Sequence, residues 1–398
     1  MLTLGAVLLA AAAASAAARH KGSRSVNTSL HTIPVGYFGG LADPRTAANL
    51  QGLSKMRVAV IEKWEGPCWF ECLGNITAGE ACSAACDEER YQLGTIKALK
   101  ALNPDVATVH YMNTLYNFPY YKLAGDFAAA NENVVGTDGK PISLINDDGM
   151  KNIQIMDFGK PSAVERYLDF HRGLISGGLV DGTFPDKNAI RASKNKTTGQ
   201  WQLCEMNGGP GFGHPWSDAC GTISESAALA YNAGKDSMLK QLNALYGPSA
   251  PVFFSTVDML GIAGWNQTDR QSTVKEITRD PRQWRQQLLQ RLNKSEYVYC
   301  MHGNQKGHPG DDPMKTQNGT DSHCTESIVA GFLIALERGA ILGCNDWQDD
   351  FGKPLGEPLG PPATDADGVI MRREFALGAK VIFNLTSATG RILWPAVV

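Results

Sequence analysis

Residues 179–186 read Leu-Val-Asp-Gly-Thr-Phe-Pro-Asp, a run of strand length that starts apolar and ends on a carboxylate. A helical pattern at 162–176 precedes this run, and only a short connection separates the two. The long segment 187–223 follows it. A strand with a helix before it and a long loop after it is typical of a repeated βα unit.

Seven further runs of apolar, β-branched or aromatic residues have strand length, and helical patterns such as 224–246 and 325–338 separate most of them. Together the eight runs are 33–38, 57–63, 106–112, 153–158, 179–186, 252–258, 297–302 and 340–346. Eight units predict an α/β fold of the (β/α)8 TIM barrel type, and a doubly wound open sheet is the alternative with the same alternation.

Connections that leave the predicted strands are long, at 64–87, 187–223, 303–324 and 347–368, whereas those that enter strands are short. In a (β/α)8 barrel the loops after the strands form the catalytic face. We therefore expect a barrel at 33–368 with long loops stapled by disulfides. A predicted hairpin, 381–385 with 391–394, makes 369–398 a small C-terminal β element packed on the barrel.

The first eighteen residues carry no charged side chain and end in Ala-Ala-Ala before Arg19. This pattern predicts a signal peptide at 1–18, then a flexible segment at 19–32, and a secreted or secretory-pathway protein without a membrane span. Seven Asn-x-Ser/Thr sequons predict that it is a glycoprotein; they begin at Asn27, Asn75, Asn195, Asn266, Asn293, Asn318 and Asn384. The formal net charge of −3 in 398 residues gives no general attraction for nucleic acid. The glycine-rich run 208–213 lacks phosphate-binding spacing, so no cofactor and no metal is predicted.

Nine cysteines fit an oxidising compartment. Cys68, Cys72, Cys82 and Cys86 allow three pairings, of which the nested one, Cys68 with Cys86 and Cys72 with Cys82, is the simplest. Two further predicted bridges join Cys204 to Cys220 and Cys300 to Cys324. Cys344 is then the odd thiol, and a buried thiol is the commoner reading of it than a catalytic one.

Acidic residues stand at the ends of five predicted strands, where the mouth of a barrel would bring them together. These are Glu62, Asp157, Asp186, Asp258 and Asp346. Glycoside hydrolysis needs two such groups, an acid for the leaving oxygen and a nucleophile or base. Helix N-caps are the alternative explanation for any single one.

Aromatic, histidine and asparagine side chains near the same strand ends are candidates to bind sugar rings and hydroxyl groups. They are Trp64, His110, Tyr111, Asn113, His302, Asn345 and Trp347, and Asp346 joins them as a substrate-binding candidate. Core packing is the competing explanation for each aromatic residue.

The segment 180–186, Val-Asp-Gly-Thr-Phe-Pro-Asp, resembles the strand of several glycoside-hydrolase-like (β/α)8 barrels in which an Asp-Gly pair is followed by a final Asp in the cleft. The unit 155–161 and the tail segments 355–360, 372–375 and 381–384 are similar to their strand-Asp-Pro-helix unit and C-terminal β element. The resemblance covers about 33–394 and implies a secreted glycosidase with Asp186 as a catalytic residue. The cysteine-rich segment 67–86 and the insertion 187–223 depart from it.

The resulting hypothesis is a secreted O-glycosyl hydrolase acting on a polysaccharide or glycoconjugate. Asp186 is the nucleophile or base, Asp258 the first choice for the acid, and Asp157 and Glu62 are the alternatives. Two other functions stay open, a non-catalytic glycan-binding barrel and a polysaccharide lyase with Tyr111, His110 or His302 as its base. The sequence does not decide the oligomeric state, the sugar or the linkage.

Overall fold

The computed structural model of the chain describes residues 26–27, 29–40, 45–68, 86–144, 153–188, 190–204, 220–247, 324–344, 346–387 and 389–396 in full. It describes the backbone alone of 253–255, 272–276 and 298–301.

The first ten strands are β1 (Val35–Gly39), β2 (Val58–Ile61), β3 (Ala107–Asn113), β4 (Tyr116–Asn117), β5 (Ser143–Leu144), β6 (Ile153–Ile155), β7 (Gly182–Asp186), β8 (Ser193–Lys194), β9 (Trp201–Cys204) and β10 (Cys220–Ile223). They are followed by β11 (Phe253–Ser255), β12 (Ser272–Glu276), β13 (Val298–Met301), β14 (Ala340–Gly343), β15 (Ala363–Thr364), β16 (Ile370–Glu374), β17 (Lys380–Asn384) and β18 (Thr389–Leu393). The described helices are α1 (Ala47–Ser54), α2 (Glu88–Leu102), α3 (Lys122–Ala129), α4 (Pro161–Ser176), α5 (Glu225–Tyr246) and α6 (Glu326–Ala335).

The main sheet is parallel and has eight strands in the order β11-β12-β13-β14-β1-β2-β3-β7. Read as a circle, this order follows the chain, whereas a doubly wound sheet reverses its order. The sheet curls, because Cα atoms of its two edge strands, β7 and β11, come within 8 Å of each other. No hydrogen-bonded ladder joins those two edges in the described part of the chain.

Seven of the eight predicted runs supply strands of this sheet. The eighth, 153–158, is a correction: its strand β6 pairs antiparallel with β4 and β5 in a separate small sheet. The strand that takes its place is β12, whose residues Ser-Thr-Val-Lys-Glu have no continuous apolar run. Strand length and hydrophobicity predict a strand but do not identify its partner.

In the described part of the chain, α2 packs on β2 and β3 of the main sheet. All four residues of β2 and all seven of β3 are buried, as expected of strands packed on both faces. Helices α4 and α5 pack on each other. No described helix has the length and apolar character that a membrane crossing requires.

A four-stranded antiparallel sheet, β15-β16-β17-β18, packs against α6 and contains the predicted hairpin as β17 and β18. It begins before residue 369, because Ala363 pairs with Arg372. The buried guanidinium of Arg373 fastens this sheet to the C-terminal end of α6. It donates to the carbonyl oxygens of Ile334 at 2.9 Å and Leu336 at 2.5 Å, where a helix end favours a cation.

Two disulfides lie in the described residues. The predicted Cys204–Cys220 bridge is confirmed and joins β9 to β10. The predicted Cys300–Cys324 bridge is wrong, because Cys324 bonds Cys344, the residue expected to be the odd thiol. The Cys68 and Cys86 side chains are in hydrogen-bond contact without a covalent bond. Cys72 and Cys82 lie outside the described residues.

Candidate functional site

The register of β2, β3 and β7 decides which side chains share the inner face of the sheet. Ile61 pairs with His110, so Glu62, the next residue, stands beside Tyr111. Asn113 pairs with Asp186 at the carboxyl end of the same ladder. Because side chains alternate along a strand, Glu62, Tyr111, Asn113 and Asp186 share one face and His110 has the other.

The carboxylate of Asp186 is held by two donors from β3. The Tyr111 hydroxyl donates to Oδ2 at 2.8 Å, and Asn113 Nδ2 lies 3.4 Å from the same oxygen. Asn113 Nδ2 also donates to the Tyr111 hydroxyl oxygen at 3.1 Å. Among the described residues, the hydrogen bonds to this carboxylate all end on Oδ2. Oδ1 is therefore the oxygen that a substrate or a water molecule can meet.

The amide of Asn113 is itself fixed in orientation. Its Oδ1 accepts the backbone N–H groups of Leu115 at 2.8 Å and Tyr116 at 2.7 Å. An amide whose oxygen is occupied this way must present its NH2 group to Tyr111 and Asp186. The turn after β3 thus orients the Asn113 NH2 group that faces the Asp186 carboxylate.

A buried ion pair lies on the neighbouring strand end. Lys63 Nζ is 3.5 Å from Glu62 Oε2, and the two side chains are 10% and 3% exposed. The same Nζ lies 4.3 Å from the ring centre of Trp64 and 4.9 Å from that of Tyr111. A cation between aromatic faces and a carboxylate favours the ionised form of Glu62.

The Tyr111 hydroxyl stays protonated at any ordinary pH. Burial raises the pKa of Tyr111 well above its usual value, and the charges of Asp186 and Glu62 raise it further. A tyrosine in this state donates a hydrogen bond and is a poor base. The arrangement places one protonated hydroxyl beside two carboxyl groups, Asp186 and Glu62.

A second polar network lies beside the first, between β1 and the loop after β2. Arg45 forms a two-pronged ion pair with Glu65 at 2.7 and 2.6 Å and donates to the Tyr37 hydroxyl at 2.8 Å. Burial raises the pKa of Tyr37 to about 12, and Asp346 contributes to that rise. Gly40 allows this close packing, because a Cβ there would lie 2.5 Å from the Trp64 carbonyl carbon.

The first turn of α2 carries two buried carboxyl groups, Glu88 and Glu89. Glu89 accepts the backbone N–H groups of Lys122 and Leu123, both at 3.0 Å, and so caps α3. Burial raises the pKa of Glu88 to about 10, with Glu65 the next contributor, and the pKa of Glu89 to about 7. Burial raises the pKa of Tyr121 well above its usual value, and the neighbouring acids Glu88 and Glu62 add to that rise.

Three sequence-predicted residues stand apart from the inner face. His110 is buried on the helix side, 5.7 Å from the Phe170 ring, and burial lowers its pKa to about 3. Asp157 accepts the backbone N–H of Gly159 and pairs with Lys160 at 3.6 Å, so its partners belong to its own turn. The Trp347 ring lies against Phe351 and against Lys55, the residue that follows α1.

Three other candidates, Asp258, His302 and Asn345, lie outside the described residues. The structure adds Lys63, Arg45, Glu88 and Tyr121, which sequence patterns did not single out. Lys63 directly follows Glu62, so a cation next to a strand-end acid was a usable signal. Arg45, Glu88 and Tyr121 meet the site only through long-range packing. In the described part of the chain, no three His, Cys, Asp or Glu side chains are grouped to hold a metal ion.

These observations define an α/β protein with a curled parallel sheet and a tyrosine-held carboxylate at the carboxyl end of its strands. Neither a protein-family model nor a curated protein sequence matches the chain. The solved structures with which the chain can be aligned include glycoside hydrolases. A GH31 family sulfoquinovosidase from E. rectale is 11% identical over 79% of this chain and 48% of that one, with a TM-score of 0.39.

An alpha-galactosidase from Thermus thermophilus is 12% identical over 86% of this chain and 65% of that one, with a TM-score of 0.42. A maltogenic alpha-amylase from Thermotoga neapolitana is 10% identical over 90% of this chain and 86% of that one, with a TM-score of 0.43. The chain thus spans about half of the first of these three proteins and just under two thirds of the second.

Proposed function

We propose that this protein is a glycoside hydrolase that uses the carboxylate of Asp186 at the mouth of a closed (β/α)8 barrel. The circular strand order and the approach of β7 to β11 support closure. The observation that carries the function is the pair of donors on Asp186 Oδ2, from Tyr111 and Asn113. They suit an ionised carboxylate, which only accepts hydrogen bonds, and they leave Oδ1 to react.

In this proposal Asp186 acts as the nucleophile at the anomeric carbon or as the base for a water molecule. Glu62 is ion-paired with Lys63 and, as a carboxylate, adds negative charge near the developing oxocarbenium ion. Trp64, whose side chain is only partly buried, supplies aromatic surface at the same edge. A second carboxyl group, protonated at the start, completes the reaction, and Asp258 is the acid proposed from sequence.

A lyase fits the site less well. Its base would have to be Tyr111, His110 or His302. The Tyr111 hydroxyl is committed to Asp186 and holds its proton, and His110 is buried on the helix side. We also propose that the protein is secreted, since Cys204–Cys220 and Cys324–Cys344 are disulfides that an oxidising compartment favours.

A panel of oligosaccharides and polysaccharides, incubated with the full-length secreted protein, tests the function. We expect new reducing ends, without unsaturated sugars, from at least one glycan. Unsaturated products would indicate a lyase. Binding without any product would indicate a glycan-binding barrel and contradict the proposal.

A further inference from the structure

Strand β12, which the sequence pattern did not predict, ends on an acid at the carboxyl edge of the main sheet. That residue is Glu276, and it pairs with Met301 of β13. The register between β13 and β14, extended by one residue, sets Met301 opposite Gly343. Gly343 pairs in turn with Gly36 of β1. The row of paired residues that starts at Glu276 therefore reaches the strands of the candidate site.

The same row crosses β2 and β3. Gly36 pairs with Val58, and Val58 pairs with Ala107. Residues paired in a parallel ladder share a face, and so do residues two or four apart on one strand. Glu276 is thus on the face of Val58, and Glu62, four residues beyond Val58, is on that face as well.

Height along the barrel axis follows from strand tilt. In a (β/α)8 barrel with a shear of eight, a row of paired residues descends along the barrel axis as it passes from each strand to the next in chain order. The descent is about one residue per strand, so the residue at the same height lies one position further along each successive strand. β2 is the fourth strand on from β12, so the residue level with Glu276 is four beyond Val58, which is Glu62.

The same step count reaches Asp186. β7 is the sixth strand on from β12, and Asp186 pairs with Asn113, which is six residues beyond Ala107 on β3. Asp186 is therefore level with Glu276 too. The three acids occupy one layer, from β2, β7 and β12. Alternate strands of a (β/α)8 barrel contribute such layers.

We infer that Glu276 is the second catalytic carboxyl group, the acid that protonates the leaving oxygen while Asp186 acts at the anomeric carbon. This inference rests on the proposed function. Lys63 pairs with Glu62, the other acid of the layer, and favours its ionised form. The proton that the reaction needs is then carried by Glu276, in place of Asp258.

The step balances as an acid-assisted cleavage. The glycosidic C–O bond breaks, its electron pair goes to the leaving oxygen, and the proton of Glu276 moves onto that oxygen. Asp186 either forms a bond to the anomeric carbon or removes a proton from the water that does. Where a covalent intermediate forms, the Glu276 carboxylate takes the proton of the water that releases the sugar, which restores the acid.

Dependence on the leaving group tests the acid role. The substrates are a methyl glycoside and a dinitrophenyl glycoside of the sugar that the glycan panel identifies, and the variants are Glu276→Gln and the rival Asp258→Asn. For Glu276→Gln we expect kcat/KM, which reports the bond-breaking step, to fall about 100-fold or more on the methyl glycoside, because an acid contributes about that much. On the dinitrophenyl glycoside, whose leaving group needs no proton, the fall in kcat/KM should stay below about tenfold. Lys275→Gln, one residue earlier on β12 and on the opposite face, should match the wild type.

Two results overturn the inference while the proposed function stands. One is a Glu276→Gln enzyme within about threefold of the wild type on both substrates. The other is the leaving-group pattern in Asp258→Asn instead.

A crystal structure gives a readout that does not need activity, since catalytic carboxyl pairs lie about 5–9.5 Å apart. A separation of the Asp186 and Glu276 carboxyl groups beyond about 9.5 Å overturns the inference. An inactive wild type with a short separation overturns the proposed function, and the catalytic role with it, but keeps the layer.

Discussion

At the scale of single residues, Tyr111 fixes the orientation of the Asp186 carboxylate. Its hydroxyl bonds one carboxylate oxygen and accepts from Asn113, so the carboxylate cannot rotate without losing both donors. The sequence suggested Tyr111 and Asn113 as sugar-binding residues because of their position at a strand end. In the structure both side chains instead hydrogen-bond to Asp186. These hydrogen bonds join neighbouring strands, so the sequence pattern along one strand does not predict them.

Removing that hydroxyl should cost turnover. In Tyr111→Phe we expect kcat to fall about 10- to 100-fold with KM nearly unchanged, because a displaced reacting group loses about that much rate. Steady-state kinetics on the best panel substrate measures this. Tyr231→Phe is the matched control: its hydroxyl is equally buried, has no hydrogen-bond partner among the described residues, and its loss should leave kcat unchanged. Equal kinetics for the two variants would contradict the role of Tyr111.

Glu88 should make stability depend on pH. Burial raises its pKa from 4.5 to about 10, so the folded protein binds a proton that the unfolded chain releases above pH 4.5. The free energy of unfolding therefore falls as pH rises from 4.5 towards 10, by up to about 1.4 kcal/mol per pH unit. Glu89 has a pKa of about 7, so it is mostly ionised above that pH. It therefore adds little to the pH dependence of the free energy of unfolding between pH 7 and 9.

Glu88→Gln keeps the side chain neutral and should flatten that slope. Urea unfolding at pH 7 and pH 9 measures the difference, with Glu165→Gln as the control at an exposed site on α4. The control should keep the wild-type slope. A Glu88→Gln protein that keeps it as well would show that another group causes the pH dependence.

At the scale of elements, hydrophobic runs located most strands but not their neighbours. The run 153–158 was predicted to lie in the main sheet but forms β6 of a separate sheet, whereas β12 was not predicted and lies in the main sheet. Asp157 is therefore outside the main sheet, and Glu276 of β12 is in it. Ile153 and Ile155 are buried in a small antiparallel sheet, and burial alone looks the same in either sheet. β12 has a polar sequence, so only its ladders to β11 and β13 reveal it.

Close packing of α5 on the turn after β6 depends on Gly234. A Cβ at this position would lie 1.7 Å from the Phe158 carbonyl oxygen. Gly234→Ala should therefore lower the free energy of unfolding by about 1–3 kcal/mol, the usual cost of overpacking. Gly173→Ala in α4 is the control, since its Cβ would meet nothing within 4 Å, and it should stabilise by up to about 1 kcal/mol. Chemical denaturation measures both, and a Gly234→Ala protein as stable as the wild type would contradict the packing.

At the scale of the whole molecule, alternation was enough to predict the parallel α/β sheet. The loop lengths predicted a site at the carboxyl ends of its strands, which is where the candidate site was sought. Disulfide pairing was only half predictable. Cys204 and Cys220 flank one paired ladder close in sequence, whereas Cys324 meets Cys344 because α6 returns the chain to β14. The resemblance motif 180–186 contains two acids. Asp181, at its start, is an ion-pair partner of Lys100, and Asp186, at its end, belongs to the site.

The proposed function requires that the Asp186 carboxylate carry the reaction. The direct measurement is kcat/KM of Asp186→Asn against the wild type on the best glycan of the panel, with Asp169→Asn, an exposed carboxylate on α4, as the control. We expect a fall of about a thousandfold or more for Asp186→Asn, the scale of losing a main catalytic group. We expect wild-type kinetics for Asp169→Asn and the wild-type melting temperature for both variants. An Asp186→Asn enzyme that folds normally and keeps kcat/KM within about tenfold of the wild type would contradict the catalytic role of Asp186.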